Sequence, residues 1–470
     1  MLQNDKKVTE ICRDEVGRNT EQYSAEYSEL VSFIESNKEY AEQIARAAKQ
    51  HVPANMLTVS FKMGAWPVVI NTQMVNQFKD FNQRLPTLIV KALNSYFEGD
   101  ANAFSAYLNE DPACYAQVCN NQFNLNELLM RHDLCFSDNQ LKLLEVNAGS
   151  DLGGWELDLL HAGPLFAASK IPSQSWSKLT HRNVLHTLMS RLCINLDKLS
   201  KKIKTGNILF ITDKTNQATL PQLQLFIQSI FQQCKEYKQG KVFLSCHPDE
   251  LELSSNNQIH YQNHQMDAVL LLDFNFSNTT MNKLKVSYQA GNLLFPDSDT
   301  HRLFGNKVLM ALMHEKKTLS KFTEEEQAWV KRHIPWTAKL ESEHVNYEGK
   351  DYALSDLLVE QKARLVLKKS NSMQGKDVVI GKDVTIAHWQ QTIERVSKEA
   401  GWIVQEFCAP DLIFATDPEG QLDTYVPVWG IFGFGESYGG GFTRAQRLSS
   451  GNGVVNAAKG AILHATLEVN

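Results

Sequence analysis

The 470-residue chain predicts an α/β fold, on three observations. Between Gly206 and Asn275, short apolar runs alternate with an amphipathic segment, the pattern of strands covered by helices. Two largely apolar stretches between Arg131 and Asn147 flank the turn-forming residues Ser137-Asp138-Asn139-Gln140, as in a β-hairpin. A second strand–helix–strand region runs from Asn306 to Phe407, and a glycine-rich stretch from Gly430 to Gly441 follows it.

Taken in order, Tyr27, Leu30, Val31, Ile34, Ala41 and Ile44 recur at helical spacing between Glu21 and His51, which predicts amphipathic helices packed on a larger body. Ile208 to Thr212, Val242 to Ser245 and Ala268 to Leu272 read as buried strands, with Leu220 to Cys234 as a helix; parallel pairing is favoured. Asn306 to His314 is helical in pattern. Leu365 to Lys368 and Val378 to Ile380 form a hairpin across a loop, Ala387 to Ala400 a helix, and Trp402 to Phe407 a strand. Boundaries near Thr205, His301 and Leu365 suggest a helical segment (1–55), a region holding the hairpin (56–205), a Rossmann-like α/β lobe (206–300) and a C-terminal region with the lysine strands (301–470).

Lys+Arg total 47 against 53 Asp+Glu, a net charge of -6, so the positive excess that drives binding to nucleic acid is missing. Apolar runs such as Ala268 to Leu272 fall far below the roughly 18 residues that cross a bilayer, and no apolar segment follows the first charges, so no membrane partner and a cytoplasmic location are expected. Cysteines 12, 114, 119, 135, 193, 234, 246 and 408 show no metal-ligand or Cys-x-x-Cys spacing, which predicts reduced thiols.

The hairpin is the most informative segment. With a three-residue loop, Asp138 to Gln140, Ser137 pairs with Leu141, and the register sets Asp133 opposite Glu145 and Arg131 opposite Asn147. A two-residue loop would destroy that arrangement. Two adjacent carboxylates repel unless a cation lies between them, and carboxylate and amide oxygens suit Mg²⁺; a solvated face with an incidental ion pair is the plainer alternative. The small residues from Asn147 to Gly154, including Ser150, follow as a loop whose amides can approach an anion.

Lys368 ends an apolar strand beside the loop Lys369 to Lys376, which includes Gly375, and such a hairpin can fold over nucleotide phosphates. Neither the Gly-x-x-x-x-Gly-Lys-Ser/Thr loop nor a dinucleotide Gly-x-Gly-x-x-Gly is present, and Gly433-Phe-Gly435 reads as a turn. Trp402 to Phe407 either sets Gln405 and Glu406 at a hinge that reads an adenine edge or is simply a buried strand reaching the surface. Arg444, Asn456 and Lys459 follow the glycines, where cations and amides can meet phosphate.

In this order the motifs resemble the circularly permuted ATP-grasp proteins, the group that includes eukaryotic-type glutathione synthetase and glutathionylspermidine synthetase. Arg131-x-Asp133, Leu144-Glu145-Val146-Asn147, Gly305-Asn306-Lys307, Ile334-Pro-Trp-Thr337, Val366-Leu-Lys368, Gly375-Lys376 and Ile403-Val-Gln-Glu406 carry the resemblance, over residues from about 131 to 460. It implies a permuted ATP-grasp fold using ATP and Mg²⁺. Asp133, Glu145 and Asn147 would hold the metal, Lys307 and Lys368 the phosphates, and Gln405 and Glu406 would flank adenine. Gly375, Lys376 and Asn456 complete the expected nucleotide site, while Arg131, Ser150 and Arg444 fall where the family holds the acceptor carboxylate or the transferring phosphate.

The implied reaction joins a small-molecule or peptide carboxylate, or a carrier-bound acyl group, to an amine through an acyl phosphate. The loop departs from the family pattern: Lys369 replaces a proline, Ser372 a metal-binding carboxylate and Gln374 a glycine. Those departures motivate the alternative of a nucleotide-binding scaffold that has lost turnover.

Overall fold

The computed structural model describes residues 2–52, 61–120, 123–172, 176, 178–199, 206–236, 239–273, 276–371, 377–450, 455 and 460–469, with side chains from residue 13 onward except that of residue 216. Its centre is a mostly antiparallel sheet in the order Lys62–Met63, Ile462–Val469, Ser437–Arg447, Leu422–Phe434, Leu129–Ser137 and Gln140–Ala148. Strand alternation sends Trp429 and Ile431 to one face, where they join Tyr27 and Leu30 of the helix Ala25–Ser36 and Phe78 and Phe81 of the helix Thr72–Phe97 in a single core. The Ser24 side chain accepts from the Tyr27 amide and so separates Ala25–Ser36 from the preceding helix Leu2–Tyr23.

The glycine-rich stretch is the turn between two central strands. Gly433 is required by close approach, because a Cβ there would lie 1.7 Å from Asn82 Oδ1, and Gly435 turns the chain with φ of 55°.

Beside this sheet lies a parallel one in the order Ala268–Leu271, Ile208–Ile211, Val242–Ser245, as the apolar runs predict. Leu220–Gln233 and Val184–Leu199 pack on one of its faces, and Asn278–Gln289 covers the other. A third sheet, antiparallel throughout, runs Thr337–Lys339, Trp402–Glu406, Leu365–Lys369, Val378–Ile380. Leu365, Leu367, Trp402 and Val404 face a core with Trp389 of the helix Ile386–Val396. The alternate residues Val366, Lys368 and Gln405 therefore face the other way.

Several elements carry no clear sequence signal: the helices Leu2–Tyr23, Ala101–Leu108 and Pro112–Cys119, the 26-residue helix Thr72–Phe97 with Pro86 inside it, and Val184–Leu199. Among the described residues no helix is long and apolar enough to cross a membrane.

Candidate active site

The hairpin forms with a different turn from the expected one. Asp138 and Asn139, at φ of 50° and 60°, make a two-residue turn that pairs Ser137 with Gln140. A bulge then leaves Leu144 unpaired, which restores the register: Asp133 lies opposite Glu145, and Arg131 opposite Asn147. Asp411 secures the turn by accepting from the amides of Asp138 and Asn139, both at 2.9 Å.

The bulge also connects two sheets. The Leu144 carbonyl accepts from Lys368 Nζ at 3.1 Å, so the acidic hairpin and the third sheet meet through an irregularity in the ladder. Between them opens a cleft of about 1030 Å³ that reaches the carboxyl end of the parallel strand Ala268–Leu271.

Arg131, Asp133, Glu145 and Asn147 line this cleft from the central sheet, together with Arg444. Lys368, Gln405 and Glu406 line it from the third sheet, and Lys307 from the start of the helix Val308–His314. Ser150 does not. Its hydroxyl is buried with no hydrogen-bond partner among the described residues, and it borders a separate small apolar cavity with Trp155 and Phe432. Gly375, Lys376, Asn456 and Lys459 lie outside the described residues, as do Ser372 and Gln374.

The two facing carboxylates have resident cations. Arg131 donates to both oxygens of Asp133, Nε to Oδ1 at 2.9 Å and Nη2 to Oδ2 at 3.3 Å, and Arg444 Nη2 meets Oδ2 at 2.6 Å. Burial works against the charge on Asp133, but the two guanidiniums outweigh it and hold its carboxyl well below the usual range. Arg131 also donates to the Gly153 carbonyl at 2.6 Å, while Arg444 Nε is buried with no partner among the described residues.

Glu145 is held more loosely. Its Oε2 lies 3.4 Å from Lys307 Nζ, and its side chain is 28% exposed to the cleft. Lys368 is buried; burial lowers its pKa to about 8 despite Glu145 nearby, so a cation is kept where solvent does little to stabilise it.

Gln405 is fully buried, and its amide bridges: Oε1 accepts from Lys368 Nζ at 2.6 Å, while Nε2 donates to Thr337 Oγ1 at 3.0 Å. The side chain thus aims the lysine, a role the strand pattern does not reveal. Glu406 accepts from Arg364 Nη2 at 2.8 Å and from the Tyr347 hydroxyl at 3.1 Å. Apolar Val366, Val378, Ile380 and Phe407 surround this end of the cleft.

Sequence reading passes over a further knot at the other end. Asp297, with no exposed surface, accepts from the Ser150 amide at 2.7 Å, the Leu271 amide at 2.9 Å and Arg302 Nη2 at 3.0 Å. It ties the loop after the hairpin to the end of the parallel sheet. The signal available was an Asp and an Arg just before Gly305-Asn306-Lys307.

An acidic hairpin facing a lysine-bearing antiparallel sheet across a cleft, with a parallel α/β lobe alongside, makes a mixed α/β fold that resembles the eukaryotic glutathione synthetase type. A solved structure with this likeness is that of a glutathione synthetase-like effector from Globodera pallida in its apo form; the TM-score is 0.58, covering 91% of this chain and 97% of that one. At 12% sequence identity the likeness is one of fold. No family model matches the chain, and no curated protein matches its sequence.

The magnesium nucleotide expected from the sequence resemblance can be set against the donors that line the cleft. Among the described residues no three His, Cys, Asp or Glu side chains cluster as a metal cage. Glu145 and Asn147 nonetheless offer two hard oxygens to the cleft, enough for an ion that takes its other ligands from phosphate and water. Asp133, the third ligand suggested by the sequence, has both carboxylate oxygens engaged by arginines.

Proposed function

We propose that the chain is an ATP-dependent carboxylate–amine ligase of a circularly permuted ATP-grasp type, working through an acyl phosphate. The observation that supports this best is the convergence of Glu145, Lys307 and Lys368 at one point, with 3.4 Å between Lys307 and Glu145 and 3.1 Å between Lys368 and the carbonyl preceding Glu145.

In this reading the apolar end of the cleft takes the adenine, and Lys307 and Lys368 hold the phosphates, with Lys368 aimed by Gln405. Glu145 and Asn147 would hold Mg²⁺, which when bound supplies charge neutralisation at the transferring phosphoryl group. Arg131 and Arg444, fixed by Asp133, present guanidinium N–H groups to the carboxylate as it attacks the γ-phosphorus and ADP leaves. The amine then displaces phosphate from the acyl carbon. Positioning and electrostatics account for the acceleration, and no side-chain nucleophile is required. The substrates are a small-molecule or peptide carboxylate, or an acyl group on a carrier protein, and an amine.

The second reading is a nucleotide-binding scaffold without turnover. Ser372 and Gln374 in the loop favour it, and a solved protein of similar fold is described as an effector. ADP release with amino acids, dipeptides and amines as substrates decides between them: the ligase produces ADP and an amide of matching mass, whereas nucleotide binding with no ADP under any pairing supports the scaffold.

A further inference from the structure

In the proposed reaction the amine arrives as an ammonium, and one proton must leave before nitrogen can attack the acyl carbon. We infer that Asp151 is the base that takes this proton, an inference that rests on the ligase reading. The N–C bond forms, the acyl C–O bond breaks with its electron pair leaving on phosphate, and the second amine proton departs on that phosphate.

Asp151 lies on the loop leading from the metal-ligand strand, four residues after Asn147 and two before Gly153, whose carbonyl anchors Arg131. It lines the same cleft as the arginine pair and as Leu272 at the end of the parallel sheet. The knot of Asp297 with the Ser150 and Leu271 amides fixes this loop from behind. In open α/β sheets that carboxyl end is where ligands bind.

Most other cleft carboxylates are engaged within the fold. Asp133 is clamped by two arginines, Glu145 faces Lys307, Glu406 binds Arg364 on the far sheet, Glu110 accepts from Asn306 at 2.8 Å, Asp111 accepts from the Ala113 amide and Asp299 pairs with Lys285, while Asp273 lines the cleft beside Leu272. Asp151 keeps a long ion pair, 3.7 Å to Arg302 Nη1, while Asp297 takes the nearer contact with that guanidinium at 3.0 Å.

Its acidity suits the task. Burial, with a smaller contribution from the Asp297 charge, raises its pKa to about 6, against the opposing pull of Arg302 and, more weakly, Arg131. A base poised just below neutrality is ionised at working pH and still takes a proton.

The test compares wild type with Asp151→Asn, using amino acids and dipeptides as carboxylates and either glycine, a linear diamine or hydroxylamine as acceptor. Hydroxylamine is unprotonated at neutral pH and needs no base. The expected result is a loss of about 10²–10⁴-fold in amide formation, with the acidic limb of kcat near pH 6 abolished and hydroxamate formation retained. Asp151→Glu should restore part of the amide rate and the limb. Equal loss of hydroxamate, or unchanged amide rates with the same limb, overturns the assignment. Wild type that forms neither hydroxamate nor ADP with any carboxylate defeats the ligase reading itself, and the base with it. Matching thermal midpoints for the variants exclude misfolding.

Discussion

Asp133 and Glu145 lie opposite each other on one hairpin, yet they are held in opposite ways. Asp133 is buried and closed off by Arg131 and Arg444; Glu145 is partly open to the cleft, with Lys307 at 3.4 Å. The first pair of charges is bonded within the fold, whereas the second leaves coordination capacity for a ligand. The difference teaches that an acidic pair read from sequence can be half scaffold and half site, and that packing decides which half is which.

Removing Asp133 should bring out its structural part most strongly. Asp133→Ala leaves two guanidiniums without their buried partner, and the expected cost is about 3–5 kcal/mol by denaturant unfolding; a loss below about 1 kcal/mol would mean that the arginines find other partners easily. Glu145→Gln and Lys368→Ala should do the reverse. Each is expected to lower ADP formation by about 10²–10³-fold, with the urea midpoint of Glu145→Gln barely moved, and wild-type turnover in both would dissolve the distinction.

The turn beneath both residues gives a smaller effect. Asp411→Ala removes two charge-assisted hydrogen bonds, and a loss of roughly 1.5–3 kcal/mol is expected, with nucleotide affinity weakened if the register slips. Unchanged stability would show that the bulge alone holds the register.

The smallest effect is a pH slope. Lys368 titrates near pH 8 in the folded chain against an ordinary value of 10.5, so between those values the unfolded chain binds more protons. Its unfavourable contribution is therefore complete below about pH 8 and fades as pH rises toward 10.5. Relative to Lys368→Met, the wild type should gain stability over that interval; parallel curves would mean that the ammonium is not desolvated.

Much of this layout was legible. The parallel strands around Phe210, the lysine hairpin and the pairing of Asp133 with Glu145 all follow from local pattern, because strand alternation and turn chemistry act over a few residues. The pairing was reached through the wrong turn: a two-residue loop with a bulge at Leu144 gives the same register as a three-residue loop without one, and no residue type at 144 announces a bulge. The bond from Lys368 to the Gln405 side chain is not legible, since the two residues are distant in sequence. The Thr72–Phe97 helix went unseen because Pro86 and its polar residues interrupt the apolar stripe that Phe78, Phe81 and Leu85 complete only against the central sheet. What a side chain does in the cleft depended on contacts between sheets, which local periodicity does not encode.

A crystal structure with a non-hydrolysable ATP analogue and Mg²⁺ tests the central claim most directly. The account predicts the triphosphate between Lys307 and Lys368, the metal on Glu145 and Asn147, and Asp133 still bound to both arginines. A nucleotide seated elsewhere, or phosphates that approach neither lysine, would contradict it.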